Sequence, residues 1–317
     1  MRTVYTRAEI DAVLPRVDAT EAVAQGFVAF SKGDVEVAPV GELLFPENSG
    51  ELHIKFGAIR GDDVFVVKLA TGFFNNPTIG LPPFNGCMIV LSQKTGVIDA
   101  VLLEEGELTN HRTAAAGAVA AKALAPGNLR AIGIVGTGVQ ARLQADYLRR
   151  VTDCRDLFIW GRRPEATEHA AADIGRMGFQ VFIAKGLDEL CERSRLIVTT
   201  TPAEHPLLTA SMVRPGTHIT AMGSDTAEKN ELAAELLELA DLVVADSLAQ
   251  SEFRGEIYQA CKAGVLQRKT VVELGTVLSG AAVGRTSDAQ ITIADLTGVA
   301  VQDIAIAKAV LRELRSN

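Results

Sequence analysis

Apolar and polar positions alternate with two rhythms along the chain. Near the start, "TRAEIDAVL" and "DATEAVAQGFVAFSKG" carry helical spacing. Thr6 stands as N-cap of the first. Asp18 followed by Glu21 comes close to a capping box for the second, which ends near Gly33. Short strand-like runs follow: "ELLF", "ELHIKFGAI", "DVFVVKLA", "CMIVLS" and "GVIDAVLLE". Asn, Gly and Pro punctuate them, notably in "FFNNPTIGLPPFNG". They predict an antiparallel or mixed sheet.

The rhythm changes at "LTNHRTAAAGAVAAKALAPG", where alanines predict a helix that "APG" ends. Strands and helices then alternate through "AIGIV", "LFIW", "FQVFI", "RLIVTTT", "THITAMG" and "DLVVAD", with a helix expected over "KNELAAELLELA". That rhythm predicts a parallel, doubly wound sheet with right-handed crossovers. "QITIADLTGVAVQDIAIAKAVLREL" adds a last strand and an amphipathic helix. The fold class is therefore α/β: a Rossmann domain over residues 121–298, and an α+β N-terminal domain over 1–120 to which the helix 299–317 returns.

Composition narrows the function classes. Of 317 residues, 48% are hydrophobic, ample for a sizeable core. The net charge of -8, with no basic cluster, argues against nucleic acid and against an anionic membrane. Cys87, Cys154, Cys191 and Cys261 lie far apart with no CxxC pair, so neither a disulfide framework nor a zinc site is expected. "MRTVYTRAEI" has no apolar signal region, and no apolar run is long enough for a membrane span. The expectation is a soluble cytoplasmic protein.

"AIGIVGTGVQARLQADYL" reads as a strand, a glycine turn and a helix. Gly136-Thr137-Gly138-Val139-Gln140-Ala141 fits GxGxxG/A: Gly136 makes the turn, Gly138 admits pyrophosphate to the backbone, and Ala141 lets helix pack on strand. The helix N-terminus offers N–H donors and partial positive charge. A nicotinamide dinucleotide, NAD(P)(H), is the expected cofactor. After the second strand, where an NAD site usually has an acid, stand Gly161, Arg162 and Arg163. Two guanidiniums there suit a 2′-phosphate and lean towards NADP; arginines pointing to solvent are the plainer alternative.

Several charged residues stand in unusual places. Lys68 shares a face with Val64 and Val66, which suggests either an anionic partner or an edge-strand lysine. Arg112 near a helix start offers a carboxylate or phosphate site, or bends back to solvent. Asp225 follows "THITAMG" at the ligand edge of a parallel sheet, where it is either functional or a helix N-cap. His53 and Lys55 lie opposite the Leu52, Ile54 and Phe56 face, on either a solvated or a pocket face.

The segments "LTNHRTAAAGAVAAKALA", "IVGTGVQA", "GSDTAEKNEL" and "QITIADLTGVAVQD", in this order and spacing, resemble the ornithine cyclodeaminase/mu-crystallin family over nearly the whole chain. The resemblance implies an N-terminal substrate and dimerisation domain joined to a Rossmann domain, a homodimer through the N-terminal sheet, and a small amino or imino acid as substrate. It implies that Lys68 grips the substrate carboxylate, Arg112 stands beside substrate and cofactor, and Asp225 is the catalytic carboxylate. For the cofactor it implies Thr113, Val139, Gln140, Thr200, Thr201, Lys229 and the strand end at Thr220, Ala221, Met222 and Gly223. Departures stand beside these matches. "VAPVGELLF" lacks the arginine many members carry, and Lys55 stands about where the ornithine enzyme has an acid. Pro83 replaces a common threonine, and Thr-Ala-Glu replaces a Pro-Gly in "GSDTAEK".

The activity so implied is NAD(P)H-dependent reduction of a 2-imino acid or cyclic ketimine, such as a pyrroline- or piperideine-2-carboxylate, or the reverse amino-acid oxidation. His53 and Lys55, if they face the pocket, extend this to a substrate with a second carboxylate. The alternatives are ornithine cyclodeaminase, in which NAD takes and returns a hydride, and a non-enzymatic, crystallin-like NADP-binding protein.

Overall fold

A computed structural model describes residues 3–316. The chain forms two compact units, Met1–Arg112 with Val299–Asn317, and Thr113–Gly298. In chain order the first supplies β1 (Thr3–Tyr5), α1 (Arg7–Val13), α2 (Ala19–Ser31), β2 (Val35–Val37), β3 (Gly41–Phe45), β4 (Gly50–Ile59), β5 (Val64–Phe73), β6 (Phe84–Ser92) and β7 (Ile98–Leu102). The division falls inside α3 (Glu107–Leu124). The second unit carries β8 (Ile132–Val135), α4 (Val139–Leu148), β9 (Asp156–Trp160), α5 (Pro164–Gly175), β10 (Gln180–Ile183), α6 (Leu187–Arg193), β11 (Leu196–Thr199) and β12 (His218–Ala221). It continues with α7 (Ala234–Leu239), β13 (Leu242–Ala245), α8 (Gly255–Lys262), β14 (Val272–Glu273), α9 (Leu274–Leu278) and β15 (Thr292–Asp295); α10 (Ala300–Arg315) belongs to the first unit.

In the first unit, strands run in the order β1-β7-β6-β5-β4-β2, with β3 also on β4. β1 lies parallel to β7 and the other pairs are antiparallel, so the sheet is mixed. β1 and β2 are three residues each, too short to show a periodicity in sequence. The full capping box belongs to α1, where Thr6 and Glu9 bond reciprocally; Asp18 of α2 accepts from Glu21 N–H alone. Register sets Lys55 opposite Lys68, and Lys68 opposite Met88. α10 packs on α2, β4 and β5, and Val66, Met88, Val90 and Leu102 are buried. Lys68 therefore sits in an interior strand, which removes the edge-strand reading.

The second unit is a doubly wound sheet of eight parallel strands, ordered β10-β9-β8-β11-β12-β15-β13-β14. β8, β11, β12 and β15 are buried along their whole length, as expected where both faces are covered. The strand order reverses between β8 and β11, the place where such sheets bind ligands beyond their carboxyl ends. The helix expected over "KNELAAELLELA" is shorter: only Ala234–Leu239 is helical. The preceding backbone is committed elsewhere. Leu207 N–H bonds to the Glu231 carbonyl, Ala233 N–H bonds to the Leu208 carbonyl, and Leu208 bridges Leu232. Among the described residues no helix is long and apolar enough to cross a membrane.

Candidate functional site

At the switch point the chain leaves β8 through Gly136-Thr137-Gly138 and enters α4. Gly136 has φ +125, and a Cβ there would meet Thr200 Oγ1 at 2.4 Å, so only glycine fits. Nothing lies within 4 Å of where a side chain on Gly138 would project, which leaves open space above the α4 N-terminus. Ala141 is buried at the helix–strand contact. Arg142, which the sequence reading passed over, fastens the turn: its Nη1 donates to the carbonyls of Thr137 (2.6 Å) and Gly138 (3.1 Å), and its Nε to Asp173 of α5 (2.5 Å).

A cleft of about 830 Å³ opens here, within the range of ligand sites. It brings together Gly136, Thr137, Gly138, Gly161, Arg162, Arg163, Thr200 and Thr201, with Trp160, Glu204 and His205. Glycine backbone and a free helix end suit a dinucleotide pyrophosphate, so the residues fit the expected cofactor. The missing acid has a steric cause. A Cβ at Gly161 would lie 2.4 Å from Thr137 Cγ2 and 2.9 Å from Thr167 Oγ1. The absence of a carboxylate therefore follows from packing against the glycine turn, and the cofactor preference rests on the arginines. Arg162 and Arg163 are exposed along the cleft. Val139 is exposed at the start of α4, and Gln140 follows half-buried. The carbonyl of Thr113 receives a long bond of 3.4 Å from Gln144 Nε2, which also reaches Met222 Sδ at 3.6 Å.

β12 ends at Ala221, and Met222 and Gly223 lead into an irregular segment. Asp225 does not cap a helix, since no helix follows until Ala234. Its side chain is 54% exposed, and Oδ1 accepts from Lys229 Nζ at 2.6 Å. An exposed carboxylate beside an ammonium can exchange protons with a bound ligand and with solvent.

The first unit holds a buried charge cluster. Lys68 Nζ donates to Asp303 Oδ1 at 3.0 Å, and Arg112 Nε lies 3.0 Å from the same oxygen. Arg112 Nη1 donates to Gln302 Oε1. Lys68, Arg112 and Asp303 are at most 6% exposed, so the solvent-facing arginine is also ruled out. Burial lowers the Lys68 ammonium, helped by the Arg112 charge and opposed by Asp303. Burial alone would raise Asp303, but Lys68, Arg112 and Lys55 bring it below the usual carboxylate range. Lys68, Arg112 and Lys55 thus stand against two carboxylates, Asp303 and a Glu104 that burial raises, which leaves a net positive site. Asp303 Oδ2 and Gln302 Nε2 are buried there without hydrogen-bond partners. Such a site suits the carboxylate of a small ligand. Lys55 is half-buried on the face of Lys68; His53, two residues back, lies 3.6 Å from both Glu42 and Glu51. Neither is on a plain solvated face.

The model of the ornithine cyclodeaminase/mu-crystallin family matches residues 1–317. The chain belongs to that family. An uncharacterized cyclodeaminase of Sinorhizobium fredii is 41% identical over 308 residues, covering 96% of this chain and 93% of that one. The iminosuccinate reductase of Paracoccus denitrificans is 33% identical over 308 residues, covering 97% and 95%. An archaeal alanine dehydrogenase dimer, solved with bound NAD, matches with a TM-score of 0.91 at 34% identity, covering 99% and 96%.

Within this family frame, the residues that sequence reasoning missed are the ones that hold the others. Asp303 and Gln302 carried one signal, a polar pair inside the apolar run "GVAVQDIAIA". Glu104, eight residues ahead of Arg112, is fully buried and receives the N–H groups of Leu108 (2.7 Å) and Thr109 (3.2 Å) at the start of α3. Glu231 receives Thr199 Oγ1, Thr201 N–H and Oγ1, and Gly223 N–H at 2.7–2.8 Å, joining the ends of β11 and β12. Nothing in local spacing marks Glu231 as buried.

Proposed function

We propose that the protein is an NAD(P)H-dependent oxidoreductase acting on the C–N bond of 2-imino and 2-amino acids, reducing a cyclic ketimine such as pyrroline- or piperideine-2-carboxylate, or a linear imino acid. The observation that carries the reading is the buried Lys68–Asp303–Arg112 cluster, a net cationic site in a chain that also carries a dinucleotide cleft. Lys68 and Arg112 bind the substrate carboxylate. Asp303 fixes both cations beforehand, so little orientational freedom is lost at binding. Asp225, hydrogen-bonded by Lys229, stabilises the iminium and moves the proton at the imine nitrogen. When bound, reduced nicotinamide supplies the hydride. Arg162 and Arg163 favour a 2′-phosphate, hence NADP; Thr200 and Thr201, which line the cleft, meet the cofactor together with Thr113, Val139, Gln140, Ala221, Met222 and Gly223 in this reading.

Lys55, cross-strand from Lys68, and His53 favour a substrate with a second carboxylate, a chemistry that the iminosuccinate reductase relative also has by name. The same Lys55 is a poor neighbour for the side-chain ammonium of ornithine, which disfavours the cyclodeaminase reading. A homodimer is part of the proposal. On the sheet face away from Lys68, Leu43 and Phe56 are 53% and 40% exposed beside half-buried Leu52 and Ile54, and a second copy would cover them. A cytoplasmic location is supported by four free cysteines.

A panel of cyclic and linear 2-imino acids, offered with NADH and NADPH and followed by loss of reduced-cofactor absorbance, tests the proposal. Stoichiometric oxidation with one or more imino acids is expected, with NADPH preferred. Ammonia released from ornithine without net cofactor turnover would instead make the protein a cyclodeaminase. Cofactor binding with no reaction on any member of the panel would make it a binding protein.

A further inference from the structure

The segment from Ser224 to Leu232 carries Asp225 and Lys229 and has no regular structure of its own. Both of its ends are held by one side chain from another element. Glu256, in the first turn of α8, is 1% exposed. Its Oε1 accepts from Ser224 Oγ and from Glu231 N–H (2.8 Å), and its Oε2 from Leu232 N–H (3.0 Å). The Asn230 amide oxygen faces two acceptors, the Leu232 carbonyl and Glu256 Oε2; turning the amide over satisfies both and brings a donor to Oε2 at 2.8 Å. Three donors point at one carboxylate, and the turned Asn230 amide makes a fourth, about as many as a carboxylate can accept. The middle of the segment is tied to the same region: Gln259 of α8 donates to the Ala227 carbonyl (2.7 Å), and Arg254 to the Asp225 carbonyl (3.2 Å).

We infer that Glu256 is a positioning residue: as a carboxylate it closes both ends of the 224–232 segment and so fixes Asp225 and Lys229, and its protonation loosens them. The inference rests on Asp225 as the group that serves the imine nitrogen. The chemistry of the donor set requires the ionised form. A protonated carboxyl gives up acceptor capacity and adds an O–H donor among groups that are already donors. Ionisation is finely balanced there. Burial pushes Glu256 up to about 7, against the bonds from Ser224, Glu231 and Leu232, with the Glu231 charge adding to the rise. The charged groups around it come from the ends of two strands and from the N-cap of α8 itself. Asp295 at the end of β15 stands close to it and is itself raised, with Asp246 after β13 acting on Asp295. Arg254 precedes α8 and is engaged with the Asp225 carbonyl. Gly255 has φ +90, and a Cβ there would lie 2.5 Å from Asp295 Oδ2, which fixes the approach of α8 to these acids.

The test compares the parent protein, Glu256→Gln and Ser224→Ala on either side of pH 7, by backbone hydrogen exchange and by imine reduction. In the parent, Glu231 and Leu232 amides are expected to be protected above pH 7 and to lose protection below it, after correction for intrinsic exchange. The kcat of imine reduction should follow the same midpoint, with KM for the reduced cofactor steady. In Glu256→Gln both readouts should become independent of pH, with kcat lowered about ten- to a hundredfold, the scale of a misplaced catalytic group. Ser224→Ala removes one donor and should keep the pH dependence at reduced amplitude, which supplies the answer if Glu256→Gln does not fold. A parent whose protection does not change with pH, or a Glu256→Gln variant that keeps the parental pH profile, would overturn the inference. Parental exchange that behaves as expected in a protein reducing no imino acid would overturn the proposed function and leave the clamp standing.

Discussion

Each unit buries carboxylates, and each compensates them differently. In the first, Asp303 lies against Lys68 and Arg112, two full positive charges, and its carboxyl falls below the usual range despite burial. In the second, Glu231, Glu256, Asp246 and Asp295 are at most 1% exposed and are held by hydroxyls and backbone N–H groups. There burial dominates: Glu256 rises to about 7, and Asp295 stands well above its ordinary value. Dipoles satisfy hydrogen bonds but cancel less of the cost of burying a charge than a counter-ion does. Glu104 of the first unit lies between the two cases: burial raises it, against the N–H groups of Thr109 and Leu108 and the charge of Lys68. A counter-ion fixes the charge state, whereas dipoles leave it open to titration near neutral pH. One region thus holds its carboxylate ionised between cations, and in the other Glu256 is balanced near neutral pH.

The largest expected effect comes from breaking the ion cluster. Asp303→Ala leaves two buried cations unpaired and should cost about 3–5 kcal/mol in denaturant unfolding. Asp225→Asn sharpens the contrast, because this carboxylate is 54% exposed. Unfolding should be almost unchanged, while kcat for imine reduction falls by about a hundredfold or more. Glu256→Gln tests the titratable side. The folded carboxyl binds its proton up to about pH 7, the unfolded one only up to about 4.5, so the parent loses stability as pH rises through that window. The variant lacks that slope and should gain about 3 kcal/mol on the parent across it, read from unfolding curves at several pH values. The smallest effect concerns exposed charge: replacing Arg162 and Arg163 together by Ser should lower kcat/KM for NADPH about tenfold and leave NADH nearly unchanged.

The sequence exposed the second unit more fully than the first. Its strands are short apolar runs, two of them, β8 and β9, followed at once by glycine, and the glycine turn after β8 has a local signature. Lys68 and Arg112 were legible as oddities, a lysine among valines and a cation at a helix start. Asp303, which explains both, is 235 positions from Lys68. Only the fold brings that pair together. The absent acid after β9 was visible, but its reason was not, because the Thr137 methyl that excludes a side chain at Gly161 lies across the turn. The helix expected after Asp225 failed on tertiary grounds. The residues Lys229 to Ala233 have helical composition, yet their backbone groups are taken by Ala203, Leu207, Leu208 and Glu256.

The central claim is net transfer of hydride to the α-carbon of an imino acid. It is tested most directly with reduced cofactor carrying deuterium at the transferred position of the nicotinamide. The account predicts an amino-acid product with deuterium at its α-carbon, one per cofactor oxidised. An unlabelled product, formed with release of ammonia from a diamino acid while the cofactor stays unconsumed, would contradict it.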